Sequence, residues 1–223
     1  MLSTALSLSL QVALVSTLLN LIVAGGLGYL FATRQFRGKT LLESCLTLPM
    51  VLPPTVVGYY LLVLLGRQSP FGQWLEQFFG VRLVFSLEGA IIATTVVTFP
   101  LVLKPARAAF ESVDKTLIDA ALTLGLSQFA AFRRVYLPLA WPGILAGLML
   151  AFARAMGEFG ATLMLAGSIE GKTQTLSIAI YEAVQAGDQQ TANQLALVTS
   201  LVCVLLLYLA KRVGQPKWRQ PHV

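Results

Sequence analysis

The sequence is short of charge and of the residues that usually carry enzymatic chemistry. Only 12% of its 223 residues are charged, and it has one histidine and two cysteines. The histidine, His222, lies in the C-terminal tail, and neither Cys45 nor Cys203 has a histidine or second cysteine at metal-ligand spacing. No serine or cysteine nucleophile has a base nearby in sequence. We therefore expect no catalytic residue and no metal site, and we do not expect an enzyme.

Hydrophobic residues take the place of the missing charges. They make up 56% of the chain, and the mean hydropathy of +0.74 is too high for one soluble core. A helix needs about 20 apolar residues to cross a hydrocarbon core of roughly 30 Å. Stretches of about that length predict five spans at residues 6–33, 45–66, 86–105, 138–160 and 190–211. We expect an all-α integral membrane protein with one transmembrane domain over residues 1–223.

The net charge of +6 indicates membrane topology rather than nucleic-acid binding. If the N-terminus is outside, only Arg67, Arg82 and Lys172 of the 16 basic residues fall outside, and Arg154 lies within a span. The other 12 lie on predicted inner segments: Arg34, Arg37, Lys39, Lys104, Arg107, Lys115, Arg133, Arg134, Lys211, Arg212, Lys217 and Arg219. The positive-inside rule therefore predicts an external N-terminus and a cytoplasmic C-terminus, with the lipid bilayer as surroundings and no nucleic-acid partner.

The second span contains residues that prevent a regular helix in its first turns. Pro49, Pro53 and Pro54 come early, and Gly58 follows them. Broken backbone at membrane depth must be buried in protein or line a pathway. Two interpretations of this break remain: a simple kink, or an element of a transport pathway. In the second interpretation, the pathway candidates are Pro53, Pro54 and Gly58.

The fourth span carries two charges, Arg154 and Glu158, four residues apart and near the predicted outer end of the helix. Charges at such depth should face protein or water. They form either a mutually neutralising pair that packs the bundle or part of an outer gate, together with Gly157, Phe159 and Gly160. Because the glutamate weakens the field of the arginine, we predict no high-affinity anion site here.

Two outer segments connect the spans. Residues 67–88 include the short amphipathic stretch QWLEQFF, which we expect at the outer membrane surface. The stretch GSIEGKT around Gly171, Lys172 and Thr173 differs from a phosphate-binding loop, because Ala166 occupies the place of its first glycine and no strand is expected before it. We expect it to be an outer loop.

Residues 106–137 form the longest predicted inner segment, and its sequence indicates a helical hairpin. Asp114 can cap a helix through Leu124, and Gly125 can take the left-handed conformation that ends it. Ser127 can cap a second helix that runs to Pro138.

The hairpin sequence IDAALTLGLSQFAAFRRVYLPLAWPG resembles the coupling motif of ABC importer permeases, the segment on which their ATPase subunits dock. The matching positions are Asp119, Ala120, Ala121, Gly125, Val135, Leu137 and Pro138, with Leu124 directly before the glycine. Asp119 stands where the motif has glutamate, and Val135 where it has isoleucine. Both replacements preserve the chemistry of the position.

Two further stretches, LPMVLPPTVVGYYLLVLLGRQSPFG and ARAMGEFGATLM, resemble the molybdate permease branch of this family, and sulfate and tungstate permeases share much of the second. The resemblance implies a type I importer permease of the bacterial inner membrane. It further implies a homodimer, two cytoplasmic ATPase subunits that bind ATP and magnesium, and a periplasmic oxyanion-binding protein, while this chain binds no cofactor. The cargo that the resemblance implies is molybdate, or alternatively tungstate or sulfate. A self-contained secondary transporter is disfavoured by five spans and no evident repeat.

Overall fold

The structure is a computed structural model, and it describes residues 2–214. Lys217, Arg219 and His222, which entered the sequence predictions, lie outside the described residues. All the regular secondary structure within residues 2–214 is helical, with no β-strand. The predicted all-α fold class is therefore confirmed.

The helices follow one another along the chain with short connections. They are α1 (Leu2–Thr33), α2 (Lys39–Thr47), α3 (Pro54–Leu65), α4 (Pro70–Phe79), α5 (Leu87–Glu111), α6 (Lys115–Thr123), α7 (Gln128–Ala131), α8 (Leu137–Met156), α9 (Gly160–Ala166), α10 (Leu176–Gln185) and α11 (Gln189–Gly214). A 3-10 turn, Leu48–Met50, follows α2, and a π-helical stretch, Phe132–Tyr136, joins α7 to α8.

Three helices within residues 2–214 are long and apolar enough to cross a membrane: α1, α5 and the continuous helix Gln128–Met156. The pieces Lys39–Met50 and α3 meet at 112° and reach that length only together. The predicted span 45–66 is therefore sharply bent, because Pro53 and Pro54 cannot continue the helical hydrogen bonds. The predicted span 190–211 falls on α11, which has 26 residues. The number of spans and their orientation stay predictions.

Helix α5 is the centre of the bundle and packs against both α1 and α8. Small residues let the helix axes come close, as membrane helices often require. A Cβ atom at Gly28 would lie 2.9 Å from that of Ala106, and one at Gly143 would lie 2.6 Å from that of Ala109. Phe31, Leu103, Phe110 and Ile144 are buried in the same cluster.

Polar contacts also join the helices. In the bundle, Asn20 of α1 donates from Nδ2 to Oγ1 of Thr98 on α5 at 2.9 Å. At the predicted inner end, Nζ of the buried Lys39 donates to the carbonyl oxygens of Phe31 and Arg34. Lys39 therefore caps the C-terminus of α1, whose last carbonyls have no partner in the helix.

Candidate coupling surface and pathway gate

The helical hairpin predicted around Gly125 is present, and its three predicted end signals lie at the expected residues. The carboxylate of Asp114 accepts a hydrogen bond from the backbone N–H of Thr116 at 2.9 Å, which lowers the pKa of Asp114. Gly125 has a left-handed φ of +86° after α6. Oγ of Ser127 accepts from the backbone N–H of Ala130 at 3.2 Å at the start of α7. The three predicted end signals are confirmed.

The prediction that the second helix of the hairpin ends at Pro138 is wrong, because α7 continues without interruption into α8 as far as Met156. Proline in a helix lacks the N–H that bonds the fourth residue back, and its ring crowds that carbonyl. The π-helical stretch before Pro138 absorbs this mismatch, since Leu137 N–H donates five residues back to the carbonyl of Phe132.

The hairpin exposes large apolar side chains. Leu124 is 83% exposed and Phe129 is 72% exposed, and Leu117 is also exposed. Ala120 and Asp119 are exposed as well, whereas Ala121 is buried within its own chain. Asp119 and Ala120 of α6, together with Leu124 directly after it, are thus exposed on the surface of the hairpin. Phe129 lies outside the motif, and the sequence analysis did not predict that it is exposed. A signal was present, because an aromatic residue two positions after the helix cap Ser127, on a predicted inner segment, indicates a surface contact.

An aromatic cluster connects the hairpin to the bundle. The ring of Tyr29 on α1 lies 5.3 Å from that of Phe110 on α5, between centroids. It also lies 4.7 Å from the ring of Phe132 and 5.6 Å from that of Tyr136, both between the hairpin and α8. The stretch that joins the hairpin to α8 is therefore in direct ring contact with both α1 and α5.

The gate candidates of the second and fourth spans, which are about 100 residues apart in sequence, lie against each other. A Cβ atom at Gly160 would lie 3.0 Å from Cγ2 of Thr55 and 3.3 Å from Cβ of Pro54. One at Gly58 would lie 2.8 Å from Cα of Ala161. Helices α3 and α9 therefore run side by side from Pro54 and Gly160, and their glycines make the close contact.

The ion pair that the spacing of Arg154 and Glu158 predicts is present. Nη1 of Arg154 lies 2.8 Å from Oε2 of Glu158. Oε1 of Glu158 accepts the backbone N–H of Ala161 at 2.9 Å, near the start of α9. The Glu158 side chain is fully buried, whereas that of Arg154 is 37% exposed. The arginine can therefore face a pathway while the glutamate stays in protein.

The chain continues as a helix beyond the pair. The predicted span 138–160 breaks after Met156 at Gly157, but α9 then resumes and carries the chain onward to Ala166. Ala166 packs with Ala90 near the start of α5, and the carbonyl of Leu165 accepts the N–H of Phe85, in the segment between α4 and α5, at 3.1 Å. The ring of Phe159 packs against that of Tyr181 on α10, with centroids 4.9 Å apart and an angle of 47° between the ring planes.

The segment between α9 and α10 is an ordered loop. Thr173 is fully buried; its Oγ1 accepts the N–H of Ile169 at 3.0 Å, and its own N–H donates to the carbonyl of Ile169 at 2.9 Å. The N–H of Leu176 donates to Oγ of Ser9 at 2.8 Å, which ties the loop to α1. Helix α9 precedes this loop, so the strand that a phosphate-binding loop needs is missing here among the described residues.

Comparison with known proteins gives a consistent answer. Residues 24–220 match the family described as binding-protein-dependent transport system inner membrane component. The chain is 44% identical to the molybdenum transport system permease protein ModB of Haemophilus influenzae, over 99% of this chain and 98% of that protein. It is 40% identical to the protein of the same name from Escherichia coli K12, over 93% of this chain and 91% of that protein.

A solved structure shares the fold. The crystal structure of a bacterial ABC transporter involved in the import of alginate matches with a TM-score of 0.78 at 15% identity, covering 95% of this chain and 78% of that one. These matches agree with the helical fold of the described residues: the chain belongs to the family of binding-protein-dependent transport system inner membrane components and has the fold of a type I ABC importer permease.

Proposed function

We propose that this chain is the membrane-spanning permease subunit of a bacterial inner-membrane importer for molybdate. The observation that carries the proposal is its similarity to molybdenum permeases over 99% and 93% of its length. Two copies of the chain form the translocation pathway, and a periplasmic binding protein delivers the oxyanion. Two ATPase subunits bind ATP and magnesium on the cytoplasmic side, so this chain supplies the pathway and performs no hydrolysis.

The exposed apolar surface of the hairpin is the docking site for the ATPase subunit. Leu124 and Phe129 project from the two arms on either side of Gly125, and burial of such side chains contributes about 1.5–3 kcal/mol each. ATP-driven closure of the ATPases pulls α6, and the aromatic cluster around Tyr29 passes the displacement to α1, α5 and α8.

The gate is formed by α3 and α9, which move as one body. Each helix is joined to the preceding one by a break, at residues 51–53 before α3 and at residues 157–159 before α9. The close contacts of Gly58 and Gly160 hold the two helices together between these breaks. Arg154 lines the pathway beside the gate, and Glu158 neutralises it, so that the oxyanion passes without being trapped.

Reconstitution tests the function. The chain is incorporated into liposomes with its ATPase and binding protein, and ATP-dependent uptake of molybdate, tungstate and sulfate is compared. We expect molybdate uptake only when all components are present. Uptake by the chain alone would establish a secondary transporter, and uptake of sulfate without molybdate would place the chain in the same family with another cargo.

A matched pair of variants tests the docking site. Phe129→Ser is expected to lose ATPase binding and uptake while still inserting into the membrane. Phe36→Ser changes an exposed phenylalanine of the other inner connection, between α1 and α2, and should retain both. Equal ATPase binding by the two variants would contradict docking on the hairpin.

A further inference from the structure

Helix α4 carries a group of aromatic side chains that the proposed transport function does not use. Phe71, Trp74, Phe78 and Phe79 are between 45% and 72% exposed, although they lie on a helix of 10 residues. Trp74 is their centre: its ring lies 5.9 Å from that of Phe71, 5.8 Å from that of Phe78 and 5.4 Å from that of Phe79, between centroids. An exposed aromatic patch of this kind marks an interaction surface.

The position of α4 is fixed at the end of α3. Oγ of Ser69 accepts the N–H of Gly72 at 2.8 Å and caps α4. Gly72 lies so close to the preceding turn that a Cβ atom there would be 2.2 Å from the carbonyl oxygen of Gly66. Leu75 packs on the core cluster that contains Val57 and Leu65 of α3. The aromatic group therefore cannot move away from the end of the bundle at which α3 ends and α5 begins.

An apolar groove runs from this patch along α3. It has a volume of about 1150 Å³, and Tyr60, Val63, Leu64 and Phe71 line it. Tyr60, Val63 and Leu64 are all more than half exposed. The exposed apolar surface of α4 is therefore continuous with that of α3, which lies within the predicted membrane span.

The polar end of the groove is positive. Arg67 lines it, and the Arg67 side chain is 67% exposed. Glu76 pairs with Arg67 through Oε1 at 2.7 Å and with Arg82 through the same oxygen at 2.8 Å. One carboxylate thus faces two guanidinium groups, which leaves one excess positive charge beside the aromatic patch.

We infer that α4 is an interfacial helix that binds phospholipids of the outer leaflet. The rings around Trp74 lie among the glycerol and headgroup atoms, an acyl chain occupies the groove along α3, and the lipid phosphate meets Arg67. Indole and phenyl rings favour this interfacial region, and a guanidinium group forms charge-assisted hydrogen bonds to phosphate. A lipid fits because the apolar groove continues from α4 along a membrane-spanning helix, where a water-soluble protein cannot follow it.

Fluorescence of Trp74 tests this directly. The substitutions Trp141→Phe and Trp218→Phe leave Trp74 as the only tryptophan, and the chain is reconstituted in vesicles containing brominated phospholipids. We expect loss of most of the Trp74 emission with bromine near the headgroup end of the acyl chain, a smaller loss with bromine near the chain terminus, and little loss with aqueous iodide. Strong quenching by iodide with none by brominated lipid would overturn the inference.

A soluble partner protein or a second copy of the chain on the aromatic patch would each give a different result. Protection from iodide that appears only when the periplasmic binding protein is added would identify a soluble partner, and quenching that depends on the ratio of protein to lipid would identify a second copy; either overturns the lipid assignment. As a control, a protein that retains only Trp141, an exposed residue of α8, reports whether the brominated lipid reaches the bundle. The measurement needs no transport, so its outcome is independent of the cargo.

A substitution of Arg67 tests the proposed contact with the lipid phosphate. Arg67→Gln should reduce the difference in Trp74 emission between vesicles with anionic phospholipids and vesicles of phosphatidylcholine alone. Lys172→Gln removes a charge from a different outer loop and should leave that difference unchanged. An equal response of the two variants would contradict a phosphate site at Arg67.

Discussion

Gly58 lies directly against the backbone of Ala161, so that a Cβ atom at Gly58 would be 2.8 Å from Cα and 2.9 Å from the carbonyl oxygen of Ala161. Both atoms are backbone, and neither can turn away as a side chain can. This contact holds α3 and α9 together between the two breaks in their spans.

Gly58→Ala should therefore damage the protein more than an added methyl group usually does. Overpacking of a close contact costs about 1–3 kcal/mol, and we expect a lower thermal unfolding midpoint in detergent and reduced transport. Gly26→Ala in α1 is the matched control, because no atom lies within 4 Å of the added Cβ. Equal unfolding midpoints for the two variants would contradict a close α3–α9 contact.

Local signals and distant contacts differed in how well the sequence predicted them. The boundaries of the hairpin follow from Asp114, Gly125 and Ser127, because each cap depends on residues within a few positions. The contact of Gly58 with Ala161 could not be predicted, because a glycine in a membrane helix indicates close packing without indicating its partner. Lys39 was counted only as a cytoplasmic charge, since its capping of α1 depends on the turn at residues 34–38.

The ion pair of Arg154 and Glu158 should show strong coupling. Arg154→Met leaves a fully buried carboxylate without its counter-charge, which costs about 3–5 kcal/mol in a buried pair. Glu158→Gln costs less, because the partly exposed Arg154 can reach water. In thermal unfolding, the double variant should be more stable than the sum of the single effects predicts, by about 0.5–3 kcal/mol. Additive effects would show that the two side chains do not interact.

At Gly125, the effect of backbone strain can be tested without the loss or gain of a side-chain contact. Its φ is +86°, and no atom lies within 4 Å of a Cβ built there. A β-branched residue is therefore disfavoured by the backbone alone, by at least about 1–2 kcal/mol, and Gly125→Val should weaken binding of the ATPase subunit while membrane insertion stays normal. Gly125→Asn should bind nearly as well, because asparagine tolerates the left-handed region. Equal ATPase binding by the two variants in a pull-down would show that the left-handed backbone at Gly125 is not needed for docking.

The two arginines around Glu76 give the segment that contains α4 a defined response to acid. The side-chain hydrogen bond from Arg67 lowers the pKa of Glu76 from its usual 4.5 to about 2. A carboxylate with a lowered pKa stabilises the folded state above its unfolded pKa, and this contribution disappears as the pH falls from about 4.5 through about 2. In the protein with Trp74 as the only tryptophan, we expect an emission change centred near pH 2. Glu76→Gln should abolish that change and Arg67→Gln should move it to higher pH, whereas a change centred near 4.5 in the unmodified segment would mean that the ion pairs do not form in the membrane.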